Sequence, residues 1–313
     1  MQGWRYRNED AHITSINKGP NKNIHIFGVF DGHGGKEVSQ FVKKHFTEEF
    51  LSNEYFLKND IKSALEQTFL KMDELLKSEN GKKELKNYLK LSRKEDEKQD
   101  KEEKLKNKYK SEEMNNYILF AKMLDPKNSD ECDIASITGC TACVLIVDES
   151  QHKLYFANSG DSRAVLYKNG NVYQMTLDHK PDLFQEKNRI YSAQGWVAEG
   201  RVQANLNLSR SLGDLEYKQR VGLSEQKQMI TAFPEINIEI LDSTCNFVIL
   251  GCDGIWDCLT NEAACEFVNQ SINKGFNLTQ IVEEIMDNII TENISNEEGI
   301  GSDNMTCIIV QFK

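Results

Sequence analysis

Apolar and polar positions alternate along this chain in two similar series, each a strand pattern followed by paired helical patterns. In the first series, residues 12–16 and 23–31 have strand-like runs, the second almost unbroken from Ile24 to Phe30. Helical spacing then takes over. Val38, Phe41, Val42, His45, Phe46 and Phe50 recur within 36–51, and Ile61, Leu65, Phe69, Met72 and Leu76 within 60–76. One apolar face on each predicts a helix pair packed on a sheet. His45 belongs to that face and is given no chemical role. Four short β-rich runs follow at 141–147, 153–158, 163–168 and 171–176, with Asn169-Gly170 marking a type I′ hairpin. A short helix over 186–194 stops at Gly195, residues 206–214 run from a strand into a turn, and 215–229 read as a mobile surface loop. The second series closes the chain: a strand at 246–252, helices at 262–272 and 278–291, and a last strand at 305–312.

Between the two series the pattern fails. From Ser78 to Glu113 the composition collapses into Lys, Glu, Asp and Asn, and Leu85, Leu89 and Leu91 are too few for a buried face. This predicts a charged low-complexity insertion, disordered in preference to a solvated helix, grown between two core elements. Apolar character resumes over 117–124. The expected organisation is one domain, 1–313, with the insertion at about 78–113 and a flap-like loop region at about 182–229.

The net charge of -11 and pI near 5.2 exclude a surface made for nucleic acid or an anionic membrane. No apolar segment reaches transmembrane length, and none near Met1 looks like a signal. The eight cysteines are scattered, mostly in apolar runs, as buried thiols of a reducing compartment would be. Cys140-Thr141-Ala142-Cys143 has C-x-x-C spacing, but no second pair or nearby His completes a zinc set. These features predict a soluble, intracellular protein, cytoplasmic or nuclear.

The chemistry lies where strands end. The run 24–30 stops at Asp31-Gly32-His33-Gly34-Gly35, so an acid is delivered to a sheet rim with glycine and a titratable imidazole beside it. The run 246–252 ends in the same way at Asp253-Gly254-Ile255-Trp256-Asp257, and Asp303 precedes the last strand. Oxygen ligands of this kind suit a hard divalent ion such as Mg²⁺ or Mn²⁺. Glu9 and Asp10 open the first strand and, as neighbours there, point to opposite faces. Asp161, in the turn 158–163, is read as a turn cap in preference to a metal ligand. Asp178 offers one more acid past a strand end.

In order, Gly3-Trp4-Arg5…Glu9-Asp10-Ala11-His12, Asp31-Gly32-His33-Gly34-Gly35, Gly160-Asp161-Ser162-Arg163, Asp178-His179-Lys180-Pro181, Ser209-Arg210-Ser211-Leu212-Gly213-Asp214, Asp253-Gly254-Ile255-Trp256-Asp257 and Ser302-Asp303-Asn304-Met305 resemble the metal-dependent protein phosphatase family, protein phosphatase type 2C. Each motif alone is weak; seven in family order, spanning Gly3 to the C-terminus, are specific. The charged insertion lies outside the pattern and resembles low-complexity insertions of protozoan-parasite proteins. The chain begins almost at the first motif, where the family usually has a further strand upstream.

The resemblance implies an α+β, four-layer αββα sandwich: two central antiparallel β-sheets flanked by helix pairs. It implies two Mg²⁺ or Mn²⁺ ions per chain and a weaker third. Asp31 would bridge the two ions, Gly32 would offer its carbonyl, Asp253 and Asp303 would hold one ion and Glu9 the other, and Asp178 with Asp253 would take the third. Arg5 would grip the substrate phosphate and His33 would act as general acid, with Asp10, Asp161, Asp257 and Asn304 auxiliary. If residues 5–9 form a strand, Arg5, Arg7 and Glu9 share one face, and the resemblance selects Arg5 over Arg7. The implied activity is hydrolysis of phosphoserine and phosphothreonine in proteins by a metal-activated water, without a covalent phosphoenzyme, in a monomer that binds phosphorylated proteins and no nucleic acid. Two alternatives are a pseudophosphatase that binds without chemistry and a metal-dependent hydrolase of another ester, such as a nuclease. Retention of Glu9, Asp31, Asp253 and Asp303 counts against the first, and the acidic net charge against the second.

Overall fold

A computed structural model of the chain describes residues 1–103, 133–292 and 300–312. The expected apolar run at 117–124 and the end of the charged insertion lie outside the described residues. The first sheet contains β1 (Ala11–Lys18), β2 (Ile24–Phe30), β5 (Ala142–Asp148), β6 (Lys153–Ser159) and β10 (Glu235–Ile240), in the order β1-β2-β5-β6-β10. The second has the order β12-β11-β7-β8, from β7 (Arg163–Lys168), β8 (Asn171–Gln174), β11 (Cys245–Gly251) and β12 (Cys307–Gln311). Three two-residue strands, β3 (Gly32–His33), β4 (Gly139–Cys140) and β9 (Leu212–Gly213), make a small sheet in the order β9-β4-β3. All these neighbours pair antiparallel.

Helices α1 (Glu37–Ser52) and α2 (Ile61–Lys77) cover the outer face of the first sheet. Helices α5 (Asn261–Asn273) and α6 (Leu278–Ile289) cover the second. The helix α4 (Phe184–Ser192) lies between the two helix pairs in sequence. The arrangement is the four-layer αββα sandwich. Strand β5 shows why its sequence reads as a continuous apolar run: all seven residues are buried. Val144 and Ile146 join the core under α1 and α2, whereas Cys143, Leu145 and Val147 join the core shared with the second sheet. A strand covered on both faces has no polar alternation to show. Cys140 and Cys143 thus belong to different cores, and both are free thiols.

Two expectations fail here. The charged segment is not detached: α3 (Glu79–Glu103) is a helix whose first half docks on α1 and α2. Leu85 is completely buried and Leu89 nearly so, and both belong to the first core. Charged contacts do the rest. Glu84 takes Lys44 at 2.7 Å, His45 at 3.0 Å and Tyr88 at 2.9 Å, Lys36 pairs with Glu95, and Ser92 donates to buried Glu37 at 3.0 Å. Leu85 and Leu89, one turn apart, form a narrow apolar seam with half-buried Tyr88 beside them, and the polar contacts flank it. Leu85→Ala should therefore destabilise the fold by about 2–5 kcal/mol, measured by denaturant unfolding; an unchanged midpoint would show that α3 is only appended.

The second failure concerns 206–214. Within 206–214, Leu212–Gly213 is the only strand. Residues 215–229 do form a surface loop, exposed over most of 219–227, but its ends are anchored: Tyr217 packs with Ile190, Val202 and Ile230, and Gln228 is buried, bonded to the backbone of Arg220 and Leu223.

Register places the strand ends together. Ala11 faces Phe30, Val29 faces Cys143, Ala142 faces Ser159, and Gly251 faces both Arg163 and Cys307. The starts of β1, β5, β7 and β12 and the ends of β2, β6 and β11 therefore share one end of the sandwich.

Candidate active site

At that end lies a cleft of about 520 Å³, whose lining includes Arg5, Arg7, Glu9, Asp31, Gly32, His33, Asp161, Asp253, Asp303 and Asn304. The lining thus carries five carboxylates against two guanidinium groups. Asp31 leaves β2 with its backbone pinned to Thr141: its carbonyl accepts from Thr141 N at 2.8 Å and its N–H donates to Thr141 Oγ1 at 3.1 Å. Gly32 must lack a side chain because a Cβ there would run into the Glu9 carbonyl. That close approach sets Glu9 beside Asp31.

Residues 3–7 form turns and bends, not a strand. The parity argument for Arg5, Arg7 and Glu9 therefore has the wrong basis, although all three reach the cleft. Asn304 does the positioning instead. Its amide donates to the Gln2 and Arg7 carbonyls, each at 2.8 Å, and its Oδ1 accepts from Glu9 N at 2.8 Å. One buried side chain thus clips the start of the chain to the turn that carries Asp303.

The electrostatics of the cluster are strained in one direction. Burial, then Asp253, Asp10 and Asp161, pushes the Asp31 carboxyl well above its ordinary range. Burial, then Asp161 and Asp303, raises Asp253 to about 7, and burial raises Glu9 to about 6. Asp10 is also raised, first by burial; its Oδ2 accepts from Thr306 at 2.7 Å while its Oδ1 has no partner. Packed carboxylates that resist ionisation for want of a cation form a suitable donor set for a hard divalent ion. The Cys252 thiol also lies within 4.8 Å of Asp10 and Asp31 oxygens. It donates to the Asn304 carbonyl at 3.3 Å, accepts from Thr306 N at 3.1 Å, and burial holds its pKa well above the thiol range. That leaves oxygen as the donor type.

The remaining acids separate. Asp161 does not cap its turn: it is buried, lines the cleft and pairs with Lys180. Its charge acts on both Asp253 and Asp257. Asp178 is not among the residues lining the cleft; Arg163 binds it, donating from Nε at 3.0 Å and from Nη2 at 2.6 Å, and the Asp178 charge, like that of Asp161, acts on Asp257. Arg5 Nη2 sits 2.7 Å from Asp303 Oδ2, an exposed and exchangeable contact.

His33 has a partner to which sequence reasoning gave no role. Its Nε2 lies 2.8 Å from Oδ2 of buried Asp214, which also accepts from Ser211 Oγ. Burial alone would make the imidazole less basic, but the Asp214 carboxylate overrides it and raises the His33 pKa. In turn Asp214 is lowered, the His33 and Ser211 contacts outweighing burial. Gly139 lies between them, where a Cβ would strike both Asp214 Oδ2 and His33 Nε2. The signal available in sequence was the acid closing Ser209-Arg210-Ser211-Leu212-Gly213-Asp214.

Comparison with known proteins gives a consistent result. A family model described as "Protein phosphatase 2C" matches residues 1–87 and 78–297. The chain is 41% identical over 317 residues to "Probable protein phosphatase 2C 4" of Paramecium tetraurelia, covering 100% of this chain and 90% of that one. It is 38% identical over 324 residues to "Probable protein phosphatase 2C 60" of Arabidopsis thaliana, covering 100% and 85%. Among solved structures, a serine-threonine phosphatase 2C from Toxoplasma gondii matches with a TM-score of 0.64 at 20% identity, over 99% of this chain and 92% of that chain.

Proposed function

The chain belongs to the protein phosphatase 2C family and is a protein serine/threonine phosphatase; from that premise we propose that residues 1–313 form one catalytic domain that hydrolyses phosphoserine and phosphothreonine in proteins, using Mg²⁺ or Mn²⁺ and no covalent phosphoenzyme. The observation that carries this reading is the meeting of Glu9, Asp31, Asp253 and Asp303 in one cleft beside His33. Two ions would be held by those carboxylates and the Gly32 carbonyl. Because Asp161 lines the cleft with Asp253 and Asp178 does not, Asp161, with Asp253 and Asp257, is favoured over Asp178 for any third ion. Such ions, when bound, supply Lewis-acid charge stabilisation and lower the pKa of water.

The chain's own groups have distinct tasks in this reading. Arg5 and Arg7 reach the cleft and offer planar donors that match phosphate oxygens, and Arg5 can exchange Asp303 for substrate. His33 holds its imidazolium because Asp214 takes the Nε2 proton's hydrogen bond, leaving the proton on Nδ1 for the departing serine or threonine oxygen. Asp10, bonded to Thr306, supports the cluster from behind. Among the described residues no helix is long and apolar enough to cross a membrane.

Purified protein should release phosphate from a phosphothreonine peptide when supplied with Mg²⁺ or Mn²⁺, and chelator should stop it. Peptide binding without turnover at any metal concentration would favour the pseudophosphatase reading.

A further inference from the structure

The group that orients His33 is itself held in an uncommon backbone conformation. Asp214 has φ +48°, in the left-handed region that side chains other than Asn, Asp and Gly rarely adopt, directly after Gly213 at φ +80°. A segment in that conformation needs outside support. Part of it is local: Asp214 N donates to the Thr138 carbonyl at 2.9 Å. The rest comes from Asp73, on the outer helix α2. Its Oδ1 accepts from Gly213 N at 2.9 Å and its Oδ2 pairs with Lys218 Nζ at 2.6 Å. The same ammonium donates to the Ser211 carbonyl at 2.7 Å, and the Ser211 hydroxyl donates to Asp214.

Asp73 and Lys218 are both buried. A buried ion pair is poor evidence of added stability, since desolvation offsets its attraction, so its presence calls for another account. Its position supplies one. Gly213 is the edge of the small sheet β9-β4-β3, whose far strand carries His33. The single carboxylate of Asp73 holds that edge and, through Lys218, the residue that bonds to Asp214. Because the His33–Asp214 pair lies against the bare backbone of Gly139, a shift of the edge moves one partner relative to the other.

We infer that Asp73 is a positioning residue for proton donation: through Gly213, Lys218 and Ser211 it fixes Asp214 against His33. The inference rests on the phosphatase reading and deepens it. A misplacement of about 1 Å at a reacting group costs up to roughly 10²-fold, and it falls on the step that needs the proton.

The test is Asp73→Asn, assayed on a phosphothreonine peptide and on p-nitrophenyl phosphate, whose leaving group needs little protonation. Peptide turnover should fall by about 10- to 100-fold, with kcat affected more than KM, while p-nitrophenyl phosphate turnover changes less than about threefold. Adding Asp73→Asn to His33→Ala should cost the peptide reaction little more, because both changes remove the same contribution. If Asp73→Asn does not fold, the double change Asp73→Asn/Lys218→Met removes both charges and is assayed in its place. Parallel losses on the two substrates, an unchanged peptide rate in folded protein, or full additivity with His33→Ala would overturn the inference. Failure of the functional reading is separate: the wild-type protein would then hydrolyse neither substrate.

Discussion

Replacing Asp31 with Asn should abolish phosphopeptide hydrolysis and, at the same time, raise the melting temperature of the metal-free protein. The first effect follows from the place of Asp31 at the centre of the acid cluster. Metal-held charge stabilisation is worth several kcal/mol, and each 1.36 kcal/mol is a factor of ten in rate, so the loss should be on the order of 10³-fold or more. The second effect follows from the direction of the pKa shifts. A carboxyl raised above its ordinary value favours its neutral form in the folded state, so its ionisation opposes folding once the pH exceeds the unfolded value. For Asp31, raised by burial, Asp253, Asp10 and Asp161, and for Asp253, raised to about 7, that opposition builds as pH rises from about 4 towards 7.

Metal-free protein should accordingly gain stability on mild acidification through that window, and Asp31→Asn should flatten the dependence. One kcal/mol gained would raise the melting temperature by about 1.5 °C for a chain of 313 residues. Thermal melts at pH 5, 6, 7 and 8, with and without Mn²⁺, check both parts. A variant that keeps the full Mn²⁺-induced increase in melting temperature would remove Asp31 from the metal site.

The second large effect concerns His33. Its alanine variant should lose about 10²–10⁴-fold on phosphoserine or phosphothreonine peptides and only a few-fold on p-nitrophenyl phosphate. The alkoxide leaving from serine or threonine needs a proton; nitrophenolate barely does. Asp214 raises the His33 pKa, so the wild-type peptide rate should hold to a higher pH than a free imidazole would allow before its basic limb falls. That limb should be missing from the His33→Ala profile. Equal losses on the two substrates would make His33 a structural group.

Much of this was legible in sequence because the strands that carry the cluster are also the strongest apolar runs. The stretches ending at Asp31 and Asp253 are buried on both faces, so composition alone marks them, and Asp-Gly marks where each stops. Other parts were hidden for identifiable reasons. The docking of α3 rests on Leu85 and Leu89, with Tyr88 beside them, and so narrow an apolar seam does not stand out within a charged helix. Asp161 and Asp178 look alike in sequence; what separates them is that Asp161, paired with Lys180, lines the cleft, whereas Asp178, paired with Arg163, does not. Arg5 and Arg7 reach the cleft through bends pinned by Asn304, an arrangement with no periodicity to detect. Asp214 went unassigned because its partner lies 181 residues away and the pairing depends on a three-strand sheet of two-residue strands.

The clip made by Asn304 bears on how the protein is born. Glu9 and Asp31 leave the ribosome early, but Asp303 and Asn304 follow Asp31 by some 270 residues. At about 5–20 residues per second, the early acids wait about 15–55 s for the late ones. During that interval the first sheet and its helices can assemble strand by strand, complete only when β10 ends at residue 240, yet the nascent chain has neither the full acid set nor the fastening that brings Arg5 and Glu9 to the rim. A ribosome-bound phosphatase of this design should therefore be silent until its last strand is made, and chains that stall before residue 303 should be released without activity.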